Sequence, residues 1–142
     1  VCNPESPTCD LVMVRNRTVT AIFKKKPTVQ SCTEQPLEPE TQFKWGGRVR
    51  EQDDEGSNNV QATVEIDGVA EFVPGTEDAD RGNWTTFTPN EGVLDIGTTS
   101  GGEEIDFWFD IKSNGTGTAT WTFTASDEGG VRGTVVCDFV FE

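Results

Sequence analysis

The chain contains no histidine, no tyrosine and a single methionine, and its 11 Lys+Arg are outnumbered by 25 Asp+Glu. Without histidine, the Ser-His-Asp and Cys-His arrangements of hydrolases are excluded in their usual form, and zinc loses its commonest ligand. The formal net charge of −14 would repel a nucleic-acid backbone and an anionic membrane surface, so we expect neither as a partner. A small secreted hydrolase needs only two carboxylates at a fixed separation, but 142 residues of short strands give no signal of a deep pocket, so this is the weakest of the candidate functions.

Long apolar runs are also missing. No stretch of 18 apolar residues occurs, so no membrane insertion is predicted. The 142 residues, of which 33% are hydrophobic, suffice for one core but not for two separate ones. We therefore expect a single domain over residues 1–142.

Four cysteines, Cys2, Cys9, Cys32 and Cys137, occur without a Cys-x-x-Cys pair. An even number in an acidic, Thr-rich chain predicts two disulfides and an oxidising compartment, with reduced buried thiols as the alternative. Two prolines stiffen the segment between the first two cysteines, which favours Cys2–Cys9 together with Cys32–Cys137, the second as a bridge between two sheets. Because the first residue is Val rather than Met, we expect that a signal peptide has been removed and that the protein is secreted, extracellular or on the cell surface.

Apolar and polar residues alternate with a period of two along most of the chain. The alternation is clearest over residues 116–126, where Trp121 and Phe123 share one face with small residues and five threonines take the other. Residues 105–111 and the last strand, which includes Cys137, alternate in the same way. Such a period fits strands and no helix.

Turn residues separate these runs. Asp67-Gly68 and Asn114-Gly115 each predict a hairpin, and residues 27–41 predict a loop or an irregular edge because of their prolines. The pattern predicts an all-β fold: a single extracellular β-sandwich of the immunoglobulin-like or jelly-roll type, with disulfides. We expect about eight to ten short, mainly antiparallel strands. A closed barrel is the alternative.

Three Asn-x-Ser/Thr sequons predict N-linked glycans on Asn16, Asn83 and Asn114. Asn114 is the best placed of the three, because a turn between two strands would expose it. Chance matches in a Thr-rich chain are the alternative.

The most informative aromatic residue is Trp108, because the alternation places it on the outer face between Asp106 and Asp110. An exposed indole there is suited to stack on a sugar ring or to enter a partner's groove. The alternative is that a second layer or a loop of the same domain covers it. We expect Trp121 in the core, whereas Trp45, beside two glycines, fits either role.

Acidic loops offer oxygen ligands for calcium, and no other cofactor is predicted. Neither loop has the twelve-residue EF-hand spacing, and a solvated acidic loop is the alternative interpretation. The candidate ligands are Asp53, Asp54 and Glu55 in one loop and Asp78 and Asp80 in another.

The overall character of the chain resembles that of pilus or filament subunits with immunoglobulin-like folds: it bears sequons, is Thr-rich and β-only, and has an N-terminal strand. The resemblance implies β-strand addition, in which an N-terminal strand completes a neighbour's sheet. Residues 1–26 would then contribute the exchanged strand, with Val19, Ala21 and Phe23 entering the acceptor groove. Lys24-Lys25-Lys26 either blocks edge pairing or docks on the acidic face of a neighbouring copy.

Two functions follow as predictions. The first is a non-enzymatic structural subunit of an extracellular or cell-surface assembly, a filament or coat that forms from identical subunits as a homopolymer. The second is a secreted carbohydrate-binding module that uses Trp108 or Trp45, with or without calcium.

Overall fold

The computed structural model of the chain describes residues 9–10, 17–23, 28–51 and 55–142, with side chains described from residue 37 onwards. Within these ranges the chain forms twelve strands and no helix. The strands are β1 (Cys9–Asp10), β2 (Arg17–Phe23), β3 (Thr28–Leu37), β4 (Gln42–Glu51), β5 (Ser57–Gly68), β6 (Ala70–Phe72), β7 (Asp78–Ala79), β8 (Asn83–Phe87), β9 (Glu91–Thr99), β10 (Glu104–Ser113), β11 (Gly117–Asp127) and β12 (Gly130–Phe141).

The all-β class is confirmed, but the strand number exceeds the predicted figure of about eight to ten for two physical reasons. First, β1 and β7 contain two residues each, which is too short to show an alternation. Second, residues 28–37 form a strand where the prolines predict a loop or irregular edge. That strand lies at a sheet edge, and its pairing shifts register where Pro36 lies, so the missing N–H of proline is tolerated.

The strands form two sheets of six. The first sheet has the order β1-β2-β4-β10-β6, with β7 also paired to β10, and the second has the order β3-β12-β11-β5-β9-β8. Only two of the described pairs, β2 with β4 and β3 with β12, are parallel. The predicted predominance of antiparallel pairing is confirmed.

One hydrophobic core contains residues from both sheets. The predicted inward residues of β10 and β11, such as Phe107, Phe109, Trp121 and Phe123, are fully buried. Phe107 meets Phe123 of the other sheet with ring centroids 5.0 Å apart and an interplanar angle of 85°. Such edge-to-face pairs add about 1 kcal/mol each to the gain from burial.

Two glycines in β4 make room for large neighbours on β10. A Cβ on Gly47 would lie 2.5 Å from Cζ of Phe107, so only glycine lets that ring lie flat across the core face of β4. A Cβ on Gly46 would meet the carbonyl oxygen of Phe107 and would lie 3.3 Å from Cβ of Trp108. The paired glycines thus set the positions of an inner and an outer aromatic residue.

The two predicted hairpins are wrong, because both turns connect different sheets. Asp67-Gly68 leads from β5 in the second sheet to β6 in the first, and Asn114-Gly115 leads from β10 in the first sheet to β11 in the second. The buried hydroxyl of Ser113 fixes the second turn by accepting hydrogen bonds from the backbone N–H groups of Glu40 (2.9 Å) and Gly115 (3.4 Å). The two strands that each turn connects still bury their apolar faces, but they do so from opposite sides of the core.

Candidate binding surface on the first sheet

The outer face of the first sheet carries a row of cross-strand pairs between β4 and β10. The register places Arg48 opposite Asp106, Gly46 opposite Trp108 and Lys44 opposite Asp110. The residues between them in each strand face the core, so these six share the outer face. We refer to Lys44, Gly46, Arg48, Asp106, Trp108 and Asp110 as the Trp108 surface.

Charged side chains on this surface are held in fixed positions by their partners. Arg48 donates two hydrogen bonds to the Asp106 carboxylate, from Nε to Oδ1 over 2.6 Å and from Nη2 to Oδ2 over 3.2 Å. On the other side of Trp108, Gln42 Nε2 donates to Oδ2 of Asp110 over 2.8 Å. Pairs this exposed stabilise a fold by less than about 1 kcal/mol. Their main effect is to orient the two carboxylates beside the indole.

Trp108 lies on the outer face between Asp106 and Asp110 and is half-buried. Gly46 lies directly opposite, and the ammonium of Lys44 is 5.5 Å from the centroid of the indole ring. A cation at this distance is attracted to the ring face by about 0.5–1 kcal/mol when exposed. The backbone of Trp108 also pairs with Asp78 of β7, so a short strand borders the surface on this side.

The other tryptophans lie on the inner side of the fold. Trp45 and Trp121 are buried in the core, with ring centroids 5.5 Å apart at 86°, and Trp84 is half-buried against Phe87. The core position expected for Trp121 is confirmed. Of the two tryptophans considered for sugar binding, Trp45 is therefore inaccessible, because the alternation of β4 turns its side chain inward.

Two of the acidic residues predicted as calcium ligands accept hydrogen bonds from backbone N–H groups. Asp80 Oδ2 accepts a hydrogen bond of 3.0 Å from the N–H of Asp106, and Asp78 Oδ1 accepts one of 2.8 Å from the N–H of Ala79. Glu55 lies in a turn, and Asp53 and Asp54 lie outside the described residues. Among the described side chains, no three carboxylates or cysteines lie close enough together to hold a metal ion. Calcium binding stays a prediction.

Arg81 joins the end of β9 to the turn that follows it. Its guanidinium donates to the Glu103 carboxylate over 2.7 and 3.0 Å and to the carbonyl oxygens of Ile96 and Thr98 over 2.8 and 2.6 Å. The hydrogen bonds from Arg81 lower the pKa of Glu103, and the hydrogen bonds to Glu103 raise the pKa of Arg81. The pair is a structural clamp that the sequence pattern did not reveal, since its partners are 22 residues apart.

Two of the three sequons fall in the described part of the chain. Asn83 is exposed at the start of β8, and Asn114 is exposed in the connection from β10 to β11, while Asn16 lies outside the described residues. Glycosylation of these sites stays a prediction.

The cysteines are only partly described. Cys137 is buried in β12, and its backbone lies opposite that of Cys32 in β3. Since both strands belong to the second sheet, the predicted bridge between sheets would instead be a bridge within one sheet. Cys9 lies opposite Val19, and Cys2 lies outside the described residues.

The predicted exchange strand has a place in the chain's own first sheet. Its residues Val19, Ala21 and Phe23 belong to β2, which runs parallel to β4 with Val19 opposite Gly47 and Ala21 opposite Val49. The lysines predicted to block edge pairing or to dock on a neighbouring copy, Lys24-Lys25-Lys26, lie outside the described residues, as do residues 1–8 and 11–16.

The second sheet carries a shallow concavity of about 290 Å³ that the sequence did not indicate. Threonines of β11 lie beside carboxylates of β5 and β9 there, because the antiparallel register brings Thr122 opposite Glu65 and Glu65 opposite Glu91. The lining residues are Glu65, Ile66, Asp67, Asn90, Glu91, Thr120 and Thr122. None of the described lysines or arginines lines the concavity, so its carboxylates make it acidic.

None of the described segments forms a helix long and apolar enough to cross a membrane. No protein-family model and no curated protein sequence matches the chain.

Solved structures do share the fold. The collagen-binding domain of a Staphylococcus aureus adhesin matches with a TM-score of 0.56 at 11% identity, over 70% of this chain and 88% of that one. The collagen-binding subdomain of the Enterococcus faecalis surface protein ACE matches with 0.52 at 7% identity, over 85% and 93%. The pilus backbone protein of Streptococcus pneumoniae matches with 0.53 at 9% identity, over 80% of this chain but only 33% of its own length. The chain is thus similar in fold to domains of bacterial surface proteins.

Proposed function

We propose that the chain is a non-enzymatic structural domain of an extracellular or cell-surface assembly and that it associates with identical copies. The observation that carries this proposal is the likeness of the fold to an adhesin domain and to a pilus backbone protein, with TM-scores of 0.56 and 0.53. At 11% and 9% identity the likeness concerns the fold alone, so the assembly role has to be tested directly.

The chemistry of the described side chains supports a structural role. Among the described residues, Arg81 and Glu103 have shifted pKa values; they bind each other, and Arg81 also donates to two backbone carbonyls. The charged residues nearest Trp108 likewise pair across neighbouring strands, as Arg48 does with Asp106. Catalytic groups instead need perturbed pKa values in a cleft that holds a substrate.

The mode of association in this proposal is exchange of β2. On one side β2 pairs with β4 over seven residues, from Arg17 to Phe23, whereas on its other side the described part of β1 pairs with only Val19 and Thr18. To leave its place, β2 has to break its pairing with β4 and β1 and its packing against β12 and β11 of the second sheet, and exchange forms the same contacts again with a neighbouring copy. Its place beside β4 is then open to the β2 of a neighbouring copy, which makes the same hydrogen bonds between molecules that it makes within one.

Cysteine cross-linking distinguishes exchange from closed monomers. Ala21 and Val49 are register partners, so Ala21→Cys is placed on one tagged copy and Val49→Cys on a differently tagged copy. After unfolding and refolding together, exchange predicts a disulfide between the two tags, identified by peptide mapping so that native cysteines are not confused with it. A control pair combines Ala21→Cys with Lys112→Cys, which lies on β10 beyond β4.

Cross-links that form within the Ala21→Cys, Val49→Cys double variant, but never between separately tagged copies, would contradict the exchange of β2. Electron microscopy of the native material tests the broader proposal, because a strictly monomeric protein would contradict any assembly role.

A carbohydrate-binding module is the second candidate, and the position of Trp108 favours it. The half-buried indole lies between two oriented carboxylates on an outer face, an arrangement that suits stacking on a sugar with hydrogen bonds to its hydroxyl groups. Trp108→Ala should abolish retention on a polysaccharide column, whereas Trp108→Phe keeps part of it. Full retention by the alanine variant would remove this candidate. A chelator added to the column buffer tests whether calcium contributes.

A further inference from the structure

The edge strand β8 has an unusual composition for a strand with a free edge. Among the strands that the structure describes it pairs only with β9, and it ends the second sheet on that side. Its five residues, Asn-Trp-Thr-Thr-Phe, include no charged residue and no proline. Natural sheets protect such an edge with lysine, proline, a covering segment, a short strand or a β-bulge, because an unprotected edge recruits other strands. β8 is short and its pairing with β9 shifts register between Trp84 and Thr86, but it has neither a charge nor a proline to complete that protection.

The first residue of this strand, Asn83, has the features of a modification site. Its side chain is exposed and makes no hydrogen bond with the described residues. The missing bond does not by itself distinguish Asn83, because the exposed Asn59, which lies outside any sequon, also makes none with the described residues. What distinguishes Asn83 is its exposure within a sequon, whereas two other asparagines outside any sequon have their amides engaged. Asn90 donates its amide to the carbonyl of Ile66 over 3.4 Å, and the amide oxygen of Asn58 accepts from the hydroxyl of Thr98 over 3.3 Å.

The sequon residue Thr85 is also exposed, and it lies in the same edge strand. We propose that Asn83 carries an N-linked oligosaccharide and that this glycan protects the free edge of β8. The proposal rests on the proposed export of the chain, but not on its self-association.

The chemistry is a group transfer with a lipid-linked oligosaccharyl pyrophosphate as the donor. Nδ2 of Asn83 forms a bond to the anomeric carbon of the sugar, while the bond from that carbon to the pyrophosphate oxygen breaks. The lipid pyrophosphate leaves with the electron pair, and the amide nitrogen loses one proton. No electron transfer is involved.

A glycan at this position acts by its size. It is anchored to the edge strand itself, so it occupies the space into which a further strand would have to enter. The exposed Asn114 differs because it lies in a connection between sheets and away from the free edge of β8. A sugar on Asn114 would leave that edge open.

The first test is peptide mass mapping of the native protein. A glycan mass on the peptide that contains Asn83 supports the proposal, and a fully unmodified peptide overturns it, whatever the state of Asn114. Since association with identical copies is tested separately by cross-linking, failure here leaves the assembly proposal standing.

Variants at Thr85, made in cells that glycosylate the secreted wild type, test the protective role. Thr85→Ala removes the sequon and Thr85→Ser retains it, so only the alanine variant should lose one glycan mass and form larger species in sedimentation. Thr85→Lys removes the sequon as well but adds a charge to the edge, so it should lose the glycan and still sediment like the wild type. Thr116→Ala, which removes only the Asn114 sequon, is the matched control. Identical sedimentation of Thr85→Ala and wild type would overturn the protective role.

Discussion

The backbone N–H of Asn114 donates a hydrogen bond of 2.6 Å to the carbonyl oxygen of Val69. This bond joins the two connections in which the chain crosses between the sheets, one from β5 to β6 and the other from β10 to β11. The N–H of Val69 in turn donates to the carbonyl of Thr118 over 3.2 Å. The two crossings therefore support each other.

Gly68 at this junction should tolerate no side chain. Its φ is +90°, and a Cβ would collide with the carbonyl oxygen of Thr118. We expect Gly68→Ala to lower the free energy of unfolding by about 3 kcal/mol, from backbone strain and the collision together. Chemical denaturation measures the loss.

The matched control for this prediction is Gly75→Ala. Gly75 has a similar φ of +98°, but a Cβ added there would have no neighbour within 4 Å, so its cost should be about 1 kcal/mol from strain alone. Equal losses for the two variants would show that the contact with Thr118 does not restrict position 68.

The alternation of apolar residues predicted which faces are buried, but not which sheet each strand joins. Residues such as Phe107 and Trp121 point inward as expected. A hairpin and a crossing between sheets, however, bury the same faces and use the same turn residues, so Asn114-Gly115 did not distinguish them. That choice depends on long-range contacts such as the bond from Asn114 to Val69.

The residues of the Trp108 surface could likewise be predicted only in part from the sequence. The alternation placed Trp108 outward between Asp106 and Asp110, and the structure agrees. Its neighbours Lys44 and Arg48 were not predicted, because the register between β4 and β10 joins residues that are far apart in the chain, 58 positions for Arg48 and Asp106. Local patterns carry no information about such a register.

The clamp between Arg81 and Glu103 predicts how stability depends on pH. The pKa of Glu103 is lowered in the folded state, chiefly by its hydrogen bonds from Arg81. The stabilisation is therefore fully present above the unfolded-state pKa, about 4.3 for glutamate, and is lost as the pH falls through the lower folded-state pKa. Glu103→Gln should cost about 1 kcal/mol at neutral pH, since both side chains are partly exposed.

The measurement is the free energy of unfolding of wild type and Glu103→Gln across the acid range. The difference between them should shrink as the pH drops below about 4. Glu65→Gln, which changes an exposed carboxylate on the second sheet, serves as the control. A difference that stays constant with pH would mean that the charge of Glu103 does not contribute.

Cys32 and Cys137 lie opposite each other in β3 and β12, and we expect them to form a disulfide. Closing a loop of this length stabilises a fold by about 4.7 kcal/mol through the entropy of the unfolded chain. Cys32→Ala, Cys137→Ala and the double variant should therefore lose similar amounts of stability, because each removes the same bond. Additive losses in the double variant, or a Cys137 peptide unchanged by reduction, would contradict the pairing.

The last prediction is that association between copies depends on salt, because each copy carries a large negative charge. Each chain carries a formal net charge of −14, and the concavity of the second sheet adds a concentrated acidic patch at Glu65, Asp67 and Glu91. Like copies therefore repel each other until salt screens the charges over about 10 Å at 0.1 M and about 3 Å at 1 M. We expect association to strengthen between these concentrations of NaCl, as measured by analytical ultracentrifugation. Sucrose at matched osmolarity is the control, because it strengthens apolar burial without screening charge. Association that weakens with salt would instead show that opposite charges hold the copies together, with Lys44 and Arg48 on the Trp108 surface as the first residues to replace.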